Sequence, residues 1–290
     1  MAAQMKSISL VIAGFSIRLF SDREIQLEAG YLPFVETRDV AEPDFTVHCI
    51  EHMPGIDLDA SDLLFQAENE FQKFYSVYST GSQLAFVIYN QQTSNEIQQI
   101  AFLDESFKHW TVHCEVVNGL FLPLRYPMGP IIMHYITLKT NAVMMHASCA
   151  FDGIKARLFT GFSGAGKSTM SMLWSKAGNQ IINDDRLIVR KQEGVFFVYN
   201  TPMYYKDIPK KAPLSSIFLI SHSPENRIKN LSGAISISRV MAFSIQNNFD
   251  RRFIEGRLDL FTELCSQVGV YELGFVPDES VVNFVLANEQ

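Results

Sequence analysis

Apolar and polar positions alternate, in part, along most of the first 120 residues. The runs "SISLVIAGFSIRLF", "DFTVHCIE", "QLAFVIYN", "EIQQIAFL" and "HWTVHCEV" are rich in β-branched and aromatic residues, as half-buried strands are. Stretches such as "STGSQ" and "NQQTSN" break them like turns. The pattern predicts a β-rich N-terminal domain over residues 1–120. "NGLFLPLRYPMGP" then reads as a connector punctuated by glycine and proline. Beyond it the periodicity changes. "GPIIMHYITLKT" suits a short helix with Pro130 near its first turn. "AVMMHASCAF" and "ARLFTG" read as two strands joined at the turn Asp152-Gly153. "STMSMLWSKAG" follows as a helix stopped by Gly178. "QIINDDRLIVR" reads as one more strand with its acids in the middle, followed by "GVFFVYN" and "LSSIFLISHS". Helices are predicted near Ile235–Asn247, Arg252–Val268 and Glu279–Ala287. Residues 121–290 are therefore an expected α/β domain. Its sheet should be mixed, because a hairpin leads into a helix and short connectors follow.

Composition changes this picture little. Of the 290 residues 47% are hydrophobic and 19% charged, as in globular proteins generally. The net charge of −7 argues against nucleic acid or an anionic membrane as partner. Cys49, Cys114, Cys149 and Cys265 are far apart with no C-x-x-C pair. That pattern points away from zinc and disulfides and towards a reducing cytoplasm. The opening "MKSISLVIAGF" is followed by no A-x-A-like cleavage site and continues as an alternating strand. No apolar run approaches a membrane span.

The chemistry concentrates between the hairpin and the next strand. Gly161, Phe162, Ser163, Gly164, Ala165, Gly166, Lys167 and Ser168, followed by Thr169, match G-x-x-x-x-G-K-[ST], a nucleotide-binding loop. Its glycines let several backbone N–H groups point into one concavity, and the helix that follows adds its positive end. Lys167 suits the β- and γ-phosphates, and the Ser168 hydroxyl suits Mg²⁺. The predicted ligand is therefore ATP with Mg²⁺. A carboxylate is needed for the metal, and the pair Asp184-Asp185 is the candidate. Adjacent strand residues face opposite ways, so one acid could serve the metal and the other an acceptor hydroxyl. His146 lies on the apolar strand before the loop. A histidine there is more often a satisfied core residue than a catalytic one.

The run from Met144 to Arg190, with His146, the loop and the aspartate pair in that order, resembles the C-terminal domain of HPr kinase/phosphorylase. More broadly it is similar to the phosphoenolpyruvate carboxykinase-like P-loop superfamily. "TPMYYKDIPKKAPLSSIFLIS" also resembles the segment that follows in HPr-kinase-like relatives. The resemblance implies nucleotide binding by Gly161 to Thr169 and metal binding by Ser168 and Asp184. It implies that Lys167 stabilises the transferring phosphoryl group and that Asp185 is the base. It makes His146 an active-site residue and suggests a homo-oligomer. The glycine-rich signature of true HPr kinases has no counterpart in "KQEGVFFVYNTPMYYKDIPKKAP", so HPr itself is left open as substrate. The second metal-binding glutamate has no assigned position, and Arg239, Arg251 and Arg252 are candidates for a later catalytic arginine. The expected activity is transfer of a γ-phosphate to an acceptor hydroxyl, with a serine of a protein or peptide as one candidate. The alternatives are a non-catalytic ATP-binding module and a small-molecule kinase.

Overall fold

The computed structural model describes residues 5–38, 41–57, 61–90, 96–245 and 254–289. It divides into two compact units, Met1–Ile136 with Pro202–Ile208, and Thr137–Thr201 with Pro209–Gln290.

The first unit holds one sheet. Its strands are β1 (Lys6–Ile12), β2 (Phe15–Ser21), β3 (Val35–Glu36), β4 (Phe45–Glu51), β5 (Asp62–Glu68), β6 (Lys73–Ser79), β7 (Leu84–Tyr89), β8 (Ile97–Leu103) and β9 (His109–Cys114). Their spatial order is β3-β1-β2-β4-β9-β8-β7-β6-β5. The pairs β2–β4 and β4–β9 are parallel. The β1–β2 hairpin turns on Ala13 and Gly14, at φ 52° and 74°, the positive φ values that a tight two-residue hairpin turn needs. The alternation in "SISLVIAGFSIRLF" thus arises because each strand buries one face. Helix α1 (Met128–Leu138) follows the connector. Its Tyr135 packs edge-on against Phe86 of β7 and Trp110 of β9. The chain of this unit therefore runs past the connector to Ile136. On the other face Tyr78, Ala85, Val87 and Tyr89 form a second small core.

The second unit contains β10 (Ala142–Phe151), β11 (Ala156–Thr160), α2 (Lys167–Lys176), β12 (Gln180–Asn183), β13 (Arg186–Gln192), β14 (Val195–Asn200), β15 (Lys211–His222), β16 (Arg227–Leu231), α3 (Gly233–Ala242), α4 (Ile254–Gln267), β17 (Gly269–Phe275) and α5 (Ser280–Asn288). The sheet order is β11-β10-β13-β14-β15-β17-β16, with β12 on β10 and a further pairing of β11 with β15. The β11–β15 and β15–β17 pairs are parallel and the remaining pairs antiparallel. The sheet is thus mixed, as the hairpin before the loop predicts. Helices cover both faces. Ala147, Leu158, Ile217 and Leu219 pack with Val240 of α3 and Phe261 and Leu264 of α4. Phe159, Phe218 and Leu273 pack with Met170, Leu173 and Trp174 of α2 and Val281 and Val285 of α5.

Two predicted elements are corrected. "QIINDDRLIVR" is two strands, β12 and β13, and Asp184-Asp185 forms the bend between them. The Asn183 Oδ1 accepts the N–H groups of Asp184 (2.7 Å) and Asp185 (3.2 Å). An Asx turn of this kind offers the backbone an alternative to the strand ladder. The helix predicted over Ile235–Asn247 is shorter: α3 ends at Ala242, and residues 243–245 leave it to bridge back to β10. The predicted start at Arg252 lies outside the described residues.

Candidate phosphate site

The loop 161–166 leaves the end of β11, and α2 starts at Lys167. Gly164 and Gly166 adopt φ of 78° and 100°, a region side chains disfavour. Space is also limiting. A Cβ on Gly166 would meet the Phe275 ring at 2.6 Å, and one on Gly161 would meet the Ile220 carbonyl oxygen at 2.8 Å. Glycine at these two positions lets the loop lie close against β15 and β17. The first intrahelical bond of α2 runs from Met170 N–H to the Gly166 carbonyl at 2.9 Å. The N–H groups before it have no intrahelical acceptor, and this leaves donors for an anion at the helix start.

Lys167 is buried. Its Nζ donates to the loop carbonyls of Gly161 (3.2 Å) and Phe162 (3.1 Å). Burial pushes its ammonium below the usual lysine value, and the charge of Asp185 opposes that shift. Lysine and carboxylate therefore sense each other across the loop.

His146 is the only exposed position in β10. Its side chain is 53% exposed, which removes the core-histidine reading. It pairs in register with Arg186 of β13. The backbone around it is fixed, since the Thr160 hydroxyl donates to its carbonyl (3.0 Å) and the N–H of Ala147 donates to the Asp185 carbonyl (3.0 Å). Its Nε2 lies 3.5 Å from Asp185 Oδ1. Burial, then the Lys167 charge, and also Arg186 push the imidazole below its ordinary value, with Asp185 opposing. His146 is thus neutral at pH 7, and its approach to Asp185 is a polar contact rather than an ion pair. Asp185 Oδ2 instead accepts from Arg186 NH1 at 2.8 Å.

The predicted residues His146, Lys167 and Asp185 therefore come together. Asp184 sits beside them at the bend and is half-buried, and Ser168 is exposed in the first turn of α2. Ser163 is exposed on the loop, Ala165 and Thr169 are partly buried, and Phe162 is exposed against Phe243. Arg239 does not join His146, Lys167 and Asp185; it pairs with Glu272 at 2.7 Å, in the wall of a cavity that Phe162 also lines. Arg251 and Arg252 lie outside the described residues. Sequence reasoning missed Arg186 and Asn183, although both flank the acids in "NDDR". Their signal was the polar run itself, which is too long for a buried strand.

Among the described residues no group of three or more His, Cys, Asp or Glu could hold a metal alone. Ser168 and Asp184 nevertheless suit Mg²⁺. They are hard oxygen donors, and this ion completes its shell with waters and substrate phosphates rather than an all-protein cage.

Residues 131–210 match the family model for phosphoenolpyruvate carboxykinase. This stretch is phosphoenolpyruvate carboxykinase-like. The carboxykinase-like segment contains His146, the whole loop and both aspartates, whereas Arg239 and Glu272 lie beyond it. The structure of the Hpr(Ser) kinase/phosphatase from Coxiella burnetii aligns with 13% identity over 51% of this chain and 99% of that one. The TM-score is 0.27. No curated protein matches the chain. Among the described residues no helix is long and apolar enough to cross a membrane.

Proposed function

We propose that this protein is an ATP- and Mg²⁺-dependent phosphotransferase that moves a γ-phosphate onto an acceptor hydroxyl, a serine of a protein or peptide being one candidate and a small alcohol another. One observation carries the reading: a carboxylate, Asp185, stands within electrostatic reach of Lys167 in the phosphate loop. In this reading the phosphate-loop domain, residues 121–290, does the chemistry, and residues 1–120 are a separate β-rich domain. The protein acts in the cytoplasm, a setting that its four free thiols support.

The loop N–H groups and the start of α2 hold the β- and γ-phosphates. Lys167 turns from its two loop carbonyls to the phosphate oxygens and neutralises charge that develops during transfer. Asp185 removes the proton of the acceptor hydroxyl as that oxygen attacks in line. Neutral His146 borders Asp185 and orients the acceptor. Ser168 and Asp184 would hold Mg²⁺, which would supply positive charge to offset that of the transferring phosphate.

The test is transfer from γ-labelled ATP to serine-containing peptides and small alcohols. Asp185→Asn should cut transfer by about 10²–10⁴-fold and leave the Kd for ATP unchanged. Loss of ATP binding in that variant would contradict the role. Lys167→Ala should weaken ATP by roughly 10–100-fold, the scale of a charge-assisted hydrogen bond. A second reading, an ATP-binding module without transfer, draws on the Arg186–Asp185 contact. That pair must rearrange before the carboxylate can take a proton. Tight ATP binding with no transfer to any acceptor favours this reading.

A further inference from the structure

The phosphate loop carries an aromatic residue that no core explains. Phe162 is 79% exposed, and its ring meets Phe243 edge-on at 4.9 Å. The two rings open onto a cavity of about 380 Å³, walled also by Arg227, Lys229, Arg239 and Glu272. Apart from Phe162 of the loop, no residue of this cavity enters the chemistry described above.

Its walls are built. Phe243 follows α3 and is held there by the Ile245 N–H, which donates to the Met144 carbonyl at 2.9 Å. Glu272 is flanked by Lys229 across the β16–β17 pair and holds Arg239 at 2.7 Å. The Arg227 side chain lies over Gly274, where a Cβ would meet its Nε at 2.8 Å. Three cations against one carboxylate leave the cavity positive, and the two rings give it an apolar side.

The position decides what fits. In the sheet β11 lies between β10 and β15. His146 and Asp185 belong to the β10–β13 lane, and the cavity belongs to the lane of β15, β17 and β16. A triphosphate whose γ end faces Asp185 therefore extends its other end towards the cavity. We infer that the cavity holds the nucleoside and α-phosphate of the bound nucleotide, with the base against Phe162 and Phe243 and the cations on the α-phosphate and ribose. This rests on the phosphate-loop reading above and adds to it the part of the molecule that selects a nucleotide over a bare polyphosphate.

Calorimetric titration of ATP and of tripolyphosphate, each with Mg²⁺, tests it on the full chain. Wild-type protein should bind ATP at least tenfold more tightly than tripolyphosphate. Phe243→Ala and Arg227→Gln should each weaken ATP by about tenfold, the scale of one stacked base or one charged contact. Both should leave tripolyphosphate unchanged, which also reports an intact loop. Should Phe243→Ala lose tripolyphosphate as well, Arg227→Gln, an exposed position on β16, decides by the same ratio. Equal wild-type affinity for the two ligands overturns the inference, as does unchanged ATP affinity in Arg227→Gln. Wild-type protein that binds neither ligand overturns the phosphate-loop reading itself.

Discussion

Strand β7 of the first unit, "LAFVIY", and strand β10 of the second, "AVMMHASCAF", are both predominantly apolar runs. Both are interior strands, paired on two sides. β7 is buried at every position, packing Phe86 on α1 and Ala85 and Val87 on the opposite face. β10 is buried on both faces too, except at exposed His146 and at its partly buried last residue, Phe151. A strand between two covered faces gains from each apolar side chain. One exposed imidazole in such a strand therefore gives up burial, and here it does so beside Asp185 and Lys167. The first unit shows what the pattern looks like when packing alone decides, and the second shows where something else does.

Three measurements can break or sharpen that contrast. The largest effect is expected for Phe86→Ala, at about 3–5 kcal/mol for a large buried side chain, against about 0.5 kcal/mol or less for exposed His146→Ala. Trp110 in the first unit and Trp174 in the second are both buried, so single-tryptophan variants allow each unit's denaturation to be followed separately. A large loss from His146→Ala would make His146 a packing residue after all. Next, Asn183→Ala should cost the second unit about 1–2 kcal/mol, because two backbone N–H groups lose their acceptor. It should also slow phosphoryl transfer by loosening the bend that carries Asp185. The smallest effect is in titration. By NMR the His146 pKa should lie below 6.5. Lys167→Met should raise it and Asp185→Asn should lower it further, since those charges act in opposite senses. A depressed folded value means that its stability contribution is present above about 6.5, the ordinary histidine value. That contribution is lost as the pH falls through the folded value. A His146 value above 6.5 would show that Asp185 dominates.

How much was legible follows from how local each signal is. The phosphate loop is contiguous, and its glycines are dictated by backbone conformation, so "GFSGAGKS" was readable at once. β7, β8 and β9 were readable because their apolar runs are strong. β5 and β6 were not: β5 has no buried position, and β6 begins with three partly buried ones. The bend at Asp184 was hidden because β-branched residues stand on both sides of it, and the Asn183 side chain, not hydropathy, ends the strand. The cavity is the least legible of all. Phe162, Arg227, Phe243 and Glu272 are scattered along the chain, and only the tertiary fold collects them: the parallel pairing of β11, β15 and β17, the antiparallel β16–β17 pair and the Ile245–Met144 hydrogen bond.

That same pairing has a consequence for folding. Starting from β11, the pairings pass through β10, β13, β14 and β15 and return to β11. His146, the phosphate loop and Asp185 all hang on this closed circuit. A closed circuit cannot fray strand by strand from an end, as an open sheet can. Its last closure joins β11 to β15 across a long stretch of sequence, a slow kind of contact to make. The amides of these five strands should therefore exchange with deuterium as one block, at the free energy of unfolding the whole unit. A partly folded chain would then contain no phosphate site, and nucleotide added during refolding would stabilise the finished unit without guiding its assembly.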